Sequence, residues 1–183
     1  MSDLSGDTTP GQTVGPFFHD ALAYPGGEQL VPPGTPGTQQ LHGHVYDGAG
    51  DPLPDALVEI RQADGAGTVP QVEGSLRRSG GFTGWGRCAT DAEGRYCFTT
   101  VEPAGVAGGA AFFAVTVFAR GLLDRLFTRA YLPGQQDDLL AGLSTEDRAT
   151  LEAVRQDDGS LRFDVRLQGE GETVFLSFPR HHR

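Results

Sequence analysis

Residues 110–121 read AAFFAVTVFARG, an apolar run broken only by Thr116 and closed by Arg120 and Gly121. Its aromatic and β-branched content suits a strand, and its uniformity predicts one buried on both faces. Such a run is either packing alone or part of a site. The residue that ends it bears on the choice, because an arginine at a strand end can meet a carboxylate at a sheet edge, although many such arginines are simply solvated.

The surrounding chain supplies short partners for this strand. From residue 41 onward, HVYD, ALVEIRQ, LFTRAY, LRFDVRL and TVFLSF are separated by turn signals such as GAGDPLPD and QGEGE. In ALVEIRQ, Ala56, Val58 and Ile60 share one face. In LRFDVRL, Leu161, Phe163, Val165 and Leu167 point inward, with Arg162, Asp164 and Arg166 outward. Seven or eight such strands predict a mainly β, two-sheet β-sandwich with long loops. One short helix is expected between residues 139 and 156, N-capped by Ser144 or Thr145 with Glu146 and Asp147 in its first turn, and with Leu151 and Val154 spaced three apart. Cys88 and Cys97 flank TDAEGRY, which reads as a hairpin carrying reduced, packed thiols on facing strands.

At 183 residues, the chain is read as one sandwich domain over 41–183, preceded by an extended arm over 1–40. The arm carries GPFF between Thr13 and His19, and aromatic residues so close together need a burial site, for which a partner chain is the expectation. A net charge of -10 argues against nucleic acid or an anionic membrane as partner. With no apolar run of membrane-spanning length and no export signal at the N-terminus, a cytoplasmic location is expected.

Candidate chemistry is sparse. His42 and His44 form an H-x-H pair on one face of a strand, but no third metal ligand stands near them in sequence. His181 and His182 lie in the C-terminal tail. QGEGET lacks the third glycine and the strand-turn-helix setting of a phosphate loop, and no nucleophile signature marks a hydrolase.

Five segments carry more: TPGQTVGPFFH at 9–19, GHVYDGAGDPLPDALVEIRQAD at 43–64, GWGRCATDAEGRYCFTT at 84–100, VFARGLLDRLFTRAYL at 117–132 and RFDVRLQGEGETVFLSF at 162–178. Together they resemble the intradiol ring-cleaving dioxygenases, with FARG and RFDVRLQGEGETVF the specific parts. The resemblance implies a transthyretin-like sandwich and a hetero-oligomeric enzyme of alpha-beta protomers. A related beta chain would hold non-haem ferric iron through two Tyr and two His, the His pair lying H-x-H on a strand. This chain would be the degenerate alpha copy, inactive alone. Aligned on FARG, Phe112 and Ala114 stand where that His pair would be; PAGVAGG at 103–109 and the Gly-rich loop at 63–84 lack the expected Tyr. Neither phenylalanine nor alanine offers ferric iron a lone pair, so this chain is expected to bind no iron.

By the same resemblance, Thr13, Gly15 and Pro16 would wall the pocket for an aromatic ring, with Phe17 where the family often has Tyr, and Arg120 would face the substrate carboxylate. The implied reaction is O2 insertion between the hydroxyl-bearing carbons of 3,4-dihydroxybenzoate, giving 3-carboxy-cis,cis-muconate on the route to β-ketoadipate. Two alternatives stand beside this reading. One is a self-sufficient dioxygenase with unusual ligands among His42, His44, Tyr96 and Tyr131; the other is a non-enzymatic transthyretin-like binding module.

Overall fold

The computed structural model describes residues 21–71 and 81–178. Among the described residues nine strands form two sheets. The first has the order β4-β1-β8-β7, with β9 also paired to β1; the second has the order β3-β2-β5-β6. Their ranges are β1 Thr38–Tyr46, β2 Leu57–Arg61, β3 Trp85–Ala89, β4 Arg95–Val101, β5 Phe112–Phe118, β6 Leu126–Tyr131, β7 Val154–Arg155, β8 Leu161–Arg162 and β9 Val165–Arg166.

Alternation builds the core. Leu41, Val45, Tyr96, Phe98, Leu161, Phe163 and Val165 from the first sheet meet Val58, Ile60, Phe113, Val115 and Val117 from the second, all in one buried cluster. Gly43 lets β1 approach the β8–β9 turn, since a Cβ there would stand 1.8 Å from the Phe163 carbonyl oxygen. The Tyr96 hydroxyl donates to that same carbonyl.

Several expectations change. The run at 110–121 is not buried on both faces: Phe113, Val115 and Val117 are buried, whereas Phe112, Ala114, Thr116 and Phe118 on the other face are half-buried. Cys88 and Cys97 do not share a hairpin, because β3 pairs with β2 and β4 with β1, so the Asp91–Gly94 turn carries the chain from one sheet to the other. Both are free thiols. TVFLSF makes no ladder; the Thr128 side chain, rather than a backbone amide, donates to the Val174 carbonyl, and a single backbone bond joins Leu176 to Phe127.

Where one helix was expected, two short ones stand, Asp138–Ala141 capped by Asp137 and Thr145–Ala149 capped by Ser144. The second ends early because Thr150 donates back to the Asp147 carbonyl, and because the backbone of Leu151 and Ala153 pairs with Tyr131. Leu151 is buried as expected, but Val154 has become an exposed residue of β7.

Residues 27–30 of the arm span the gap between the sheets at the β3 and β4 edges. Leu30 and Thr99 are joined by a backbone bond, as are Glu28 and Thr99, while Gly27 accepts from Arg87. Leu30 is completely buried in the core. Among the described residues no helix is long and apolar enough to cross a membrane.

Candidate functional site

The two ends of β5 hold different chemistry. At the C-terminal end the chain leaves the sheet through buried Ala119, and Gly121, at φ 90°, turns it away. Between them Arg120 projects into solvent with a side chain 64% exposed, and its Nε meets Asp55 Oδ2 at 3.0 Å. Strand register explains the pairing: β2 and β5 are antiparallel with Leu57 opposite Phe118, so two residues further out Asp55 faces Arg120. Asp55 is itself buried, and its Oδ1 has no hydrogen-bond partner. A buried carboxylate therefore holds the guanidinium through Nε on a largely exposed side chain, which suits recognition of an external anion.

At the N-terminal end Phe112 and Ala114 line a cavity of about 210 Å³ with Val106, Ala110, Val69 and Arg61. The PAGVAGG loop thus comes to the same wall as the two strand positions. Arg129 stacks over the Phe112 ring at 4.3 Å. Its Nη1 donates to the Tyr131 hydroxyl at 2.8 Å and to Asp137 Oδ2 at 3.3 Å, and Tyr131 donates to the same Oδ2 at 2.6 Å. Burial, with help from the Asp137 carboxylate, pushes the Tyr131 hydroxyl up to about 12. Burial opposes ionisation of Asp137, but the amide of Leu140, the Tyr131 hydroxyl and Arg129 outweigh it and hold its carboxyl below the usual range.

This donor set does not fit ferric iron. Phe112 and Ala114 have nothing to coordinate with, and the cations Arg61, in the cavity wall, and Arg129, over the Phe112 ring, would repel a metal. The other imidazoles and phenols of the alternative ligand set are engaged elsewhere. His42 Nε2 lies 3.2 Å from Ser160 Oγ, and His44 Nδ1 lies 3.7 Å from Asp164 while its ring stacks on Tyr46. Tyr96 is buried on the Phe163 carbonyl and Tyr131 is bound to Asp137. Among the described residues no three His, Cys, Asp or Glu side chains gather as a metal site.

The two ends of β5 are not brought together. The strand from Phe112 to Phe118 is roughly 20 Å long at about 3.3 Å per residue, so Arg120 cannot serve a small molecule held at Phe112 and Ala114. Thr13, Gly15, Pro16 and Phe17, with His181 and His182, lie outside the described residues. Asp55, Arg61 and Arg129 were missed in the sequence, and only the β2–β5 register shows that Asp55 faces Arg120.

Comparison with known proteins adds the following. The profile described as Dioxygenase matches residues 14–111. The alpha chain of protocatechuate 3,4-dioxygenase from Burkholderia cepacia is 39% identical, over 92% of this chain and 96% of that one. The beta chain of the same enzyme from Burkholderia cepacia is 33% identical, over 91% of this chain and 72% of its own length. Among solved structures, the dioxygenase domain of a dioxygenase and carbohydrate-binding fusion from Streptomyces sp. SirexAA-E superposes with a TM-score of 0.61 at 27% identity, covering 89% of this chain and 99% of that domain.

Proposed function

The chain belongs to the intradiol dioxygenase family, whose members depend on non-haem iron, and from that membership we propose that it is the alpha chain of a hetero-oligomeric protocatechuate 3,4-dioxygenase. Its partner is a related beta chain, and the substrate is 3,4-dihydroxybenzoate, opened by O2 to 3-carboxy-cis,cis-muconate. The iron resides on the beta chain and supplies activation of the catechol toward O2.

The carrying observation is the separation along β5. Arg120 offers an outward guanidinium at one end, while the positions that match metal ligands lie at the other and hold a phenylalanine and an alanine. A substrate carboxylate on Arg120 would therefore belong to a molecule whose reacting ring sits on another subunit. Within this division Arg120 binds and orients the carboxylate, Asp55 positions Arg120, and Thr13, Gly15 and Pro16 wall the ring. The sandwich that begins with β1 at Thr38 is the scaffold. Both an alpha-chain and a beta-chain relative align along nine-tenths of this chain, which supports one fold used twice in an alpha-beta assembly.

The test is expression of this chain with and without a beta chain, followed by iron analysis and O2 uptake on protocatechuate. Turnover and iron are expected only when the beta chain is present. Stoichiometric iron and ring cleavage by this chain alone would overturn the assignment.

A further inference from the structure

Phe112 and Ala114 offer a metal no donor, yet they line an open cavity. Its volume of about 210 Å³ exceeds the roughly 150 Å³ of an apolar protein cavity that accepts benzene. The lining is mainly aliphatic and aromatic, from Val69, Val106, Ala110, Phe112 and Ala114, with Arg61 as its cation.

Arg61 closes β2 and stands opposite Ala114 in register, so its side chain leaves on the outer face of the sheet with Phe112 and Ala114. Its polar contact is from Nη2 to the Pro70 carbonyl at 3.3 Å. Among the described residues no carboxylate pairs with it. Glu59, two residues earlier on the same face, is taken by Arg87. Arg129, the other cation near the cavity, is matched by Asp137. Among the described residues, Arg61 is thus a cation without a carboxylate partner beside an apolar cavity.

The walls are pre-formed. The rim loop is fastened to the opposite wall by the Ala104 amide donating to the Asp64 carbonyl and closed on itself by Gly109 to Val106. It also contains Ala107 at φ 50°, which among the described residues is the non-glycine in the left-handed region, a conformation that costs energy and persists where the surroundings fix it. A concave, mainly apolar cavity, here open on one side, with a charged group at its wall is the usual form of a small-molecule site.

We propose that this cavity is a binding site for a small aromatic carboxylate, the ring lying among Phe112, Val106 and Ala114 and the carboxylate on Arg61, held without chemical change. This goes beyond the proposed subunit role and does not depend on it, because the contacts are all within this chain and lie roughly 20 Å along β5 from Arg120.

The probe is 4-fluorobenzoate, followed by ¹⁹F NMR during titration of the full-length chain co-expressed with its beta chain. The wild type is expected to bind one equivalent more per alpha chain than Ala114→Leu, whose added side chain fills the cavity. Arg61→Gln is expected to retain that equivalent with affinity weakened on the order of tenfold, the loss of a charge-assisted contact. Arg61 is at the surface, so its variant tests the site even if Ala114→Leu folds poorly. Equal stoichiometry in wild type and Ala114→Leu, or unchanged affinity in Arg61→Gln, would overturn the proposal. Absence of O2 uptake with the extra equivalent intact would instead overturn the subunit role and leave this site standing.

Discussion

Replacing Arg120 with alanine isolates the contact on which the subunit's role rests. In the structure the guanidinium meets Asp55 through Nε, and the side chain is largely exposed. A hydrogen bond to a charged group contributes about 1.5–3 kcal/mol when removed from one side. The side chain is 64% exposed in this chain, and screening places the loss toward the lower end, about 1–2 kcal/mol. With about 1.4 kcal/mol per tenfold, KM for protocatechuate should rise roughly 5- to 30-fold. kcat and iron content should change little, because the proposed contact is to the carboxylate and not to the metal. The assay is O2 uptake by the alpha-beta complex with protocatechuate and, in parallel, with catechol, which has no carboxylate; catechol turnover should be insensitive. Asp55→Asn should raise KM for protocatechuate in the same direction by less, and the double variant should fall short of the sum, as expected of residues in contact. An unaltered KM, or an equal rise for both substrates, would refute the carboxylate role.

Three further outcomes follow from the geometry. Phe112→His with Ala114→His restores an H-x-H pair but leaves Arg61 and Arg129 in place, so metal analysis by mass spectrometry should find the purified variant far below one iron per chain, and full ferric occupancy would show that charge does not oppose the metal. Gly43→Ala would drive a methyl group into the Phe163 carbonyl, and a loss of about 1–3 kcal/mol or more is expected in urea denaturation, whereas an unchanged midpoint would mean the β8–β9 turn yields freely. Burial first, and then the Arg95 charge, hold the His42 imidazole below its ordinary 6.5. The folded chain therefore binds fewer protons than the unfolded one as pH falls, so this contribution to stability is present above 6.5 and is lost below it. His42→Gln should flatten the fall of the urea midpoint below pH 6.5, and an identical pH profile would remove His42 from the account.

Much of the sandwich was legible because its strands alternate in burial. LRFDVRL told its inward and outward residues apart, and Ala56, Val58 and Ile60 declared one face, since period-two burial is fixed by the backbone. What alternation does not encode is which strand receives a returning chain. The DAEG turn between Cys88 and Cys97 signals reversal equally well for a hairpin and for a crossing between sheets, and here β3 and β4 part company. The same blindness hid Asp55: it sits in a turn 65 residues before Arg120, and only the register of β2 on β5 sets the two side by side. The 110–121 run misled in another way. Ala114 and Phe112 are apolar, but they face a cavity rather than a second layer, and hydrophobicity alone does not distinguish the two.

That distinction explains how a chain can lose its metal ligands while keeping its fold. In β5 the inter-sheet packing is carried by Phe113, Val115 and Val117, at most 2% exposed, and burying each contributes about 1.5–3 kcal/mol. Phe112 and Ala114 lie on the opposite face, half-buried, and contribute little to the contact between the sheets. Substitution on that face can therefore remove every donor without opening a hole in the core. It cannot do so without an electrostatic consequence, because polar groups arranged around a cation are unmatched once the cation is gone. In this chain Arg129 stacks on Phe112 and is paired with Asp137 and Tyr131, so that a side-chain charge is held against that face of β5. Arg120 lies beyond the other end of the strand and feels none of this exchange. A duplicated sandwich could thus surrender chemistry at one end of β5 and keep recognition at the other, provided that a second copy supplies the reacting centre.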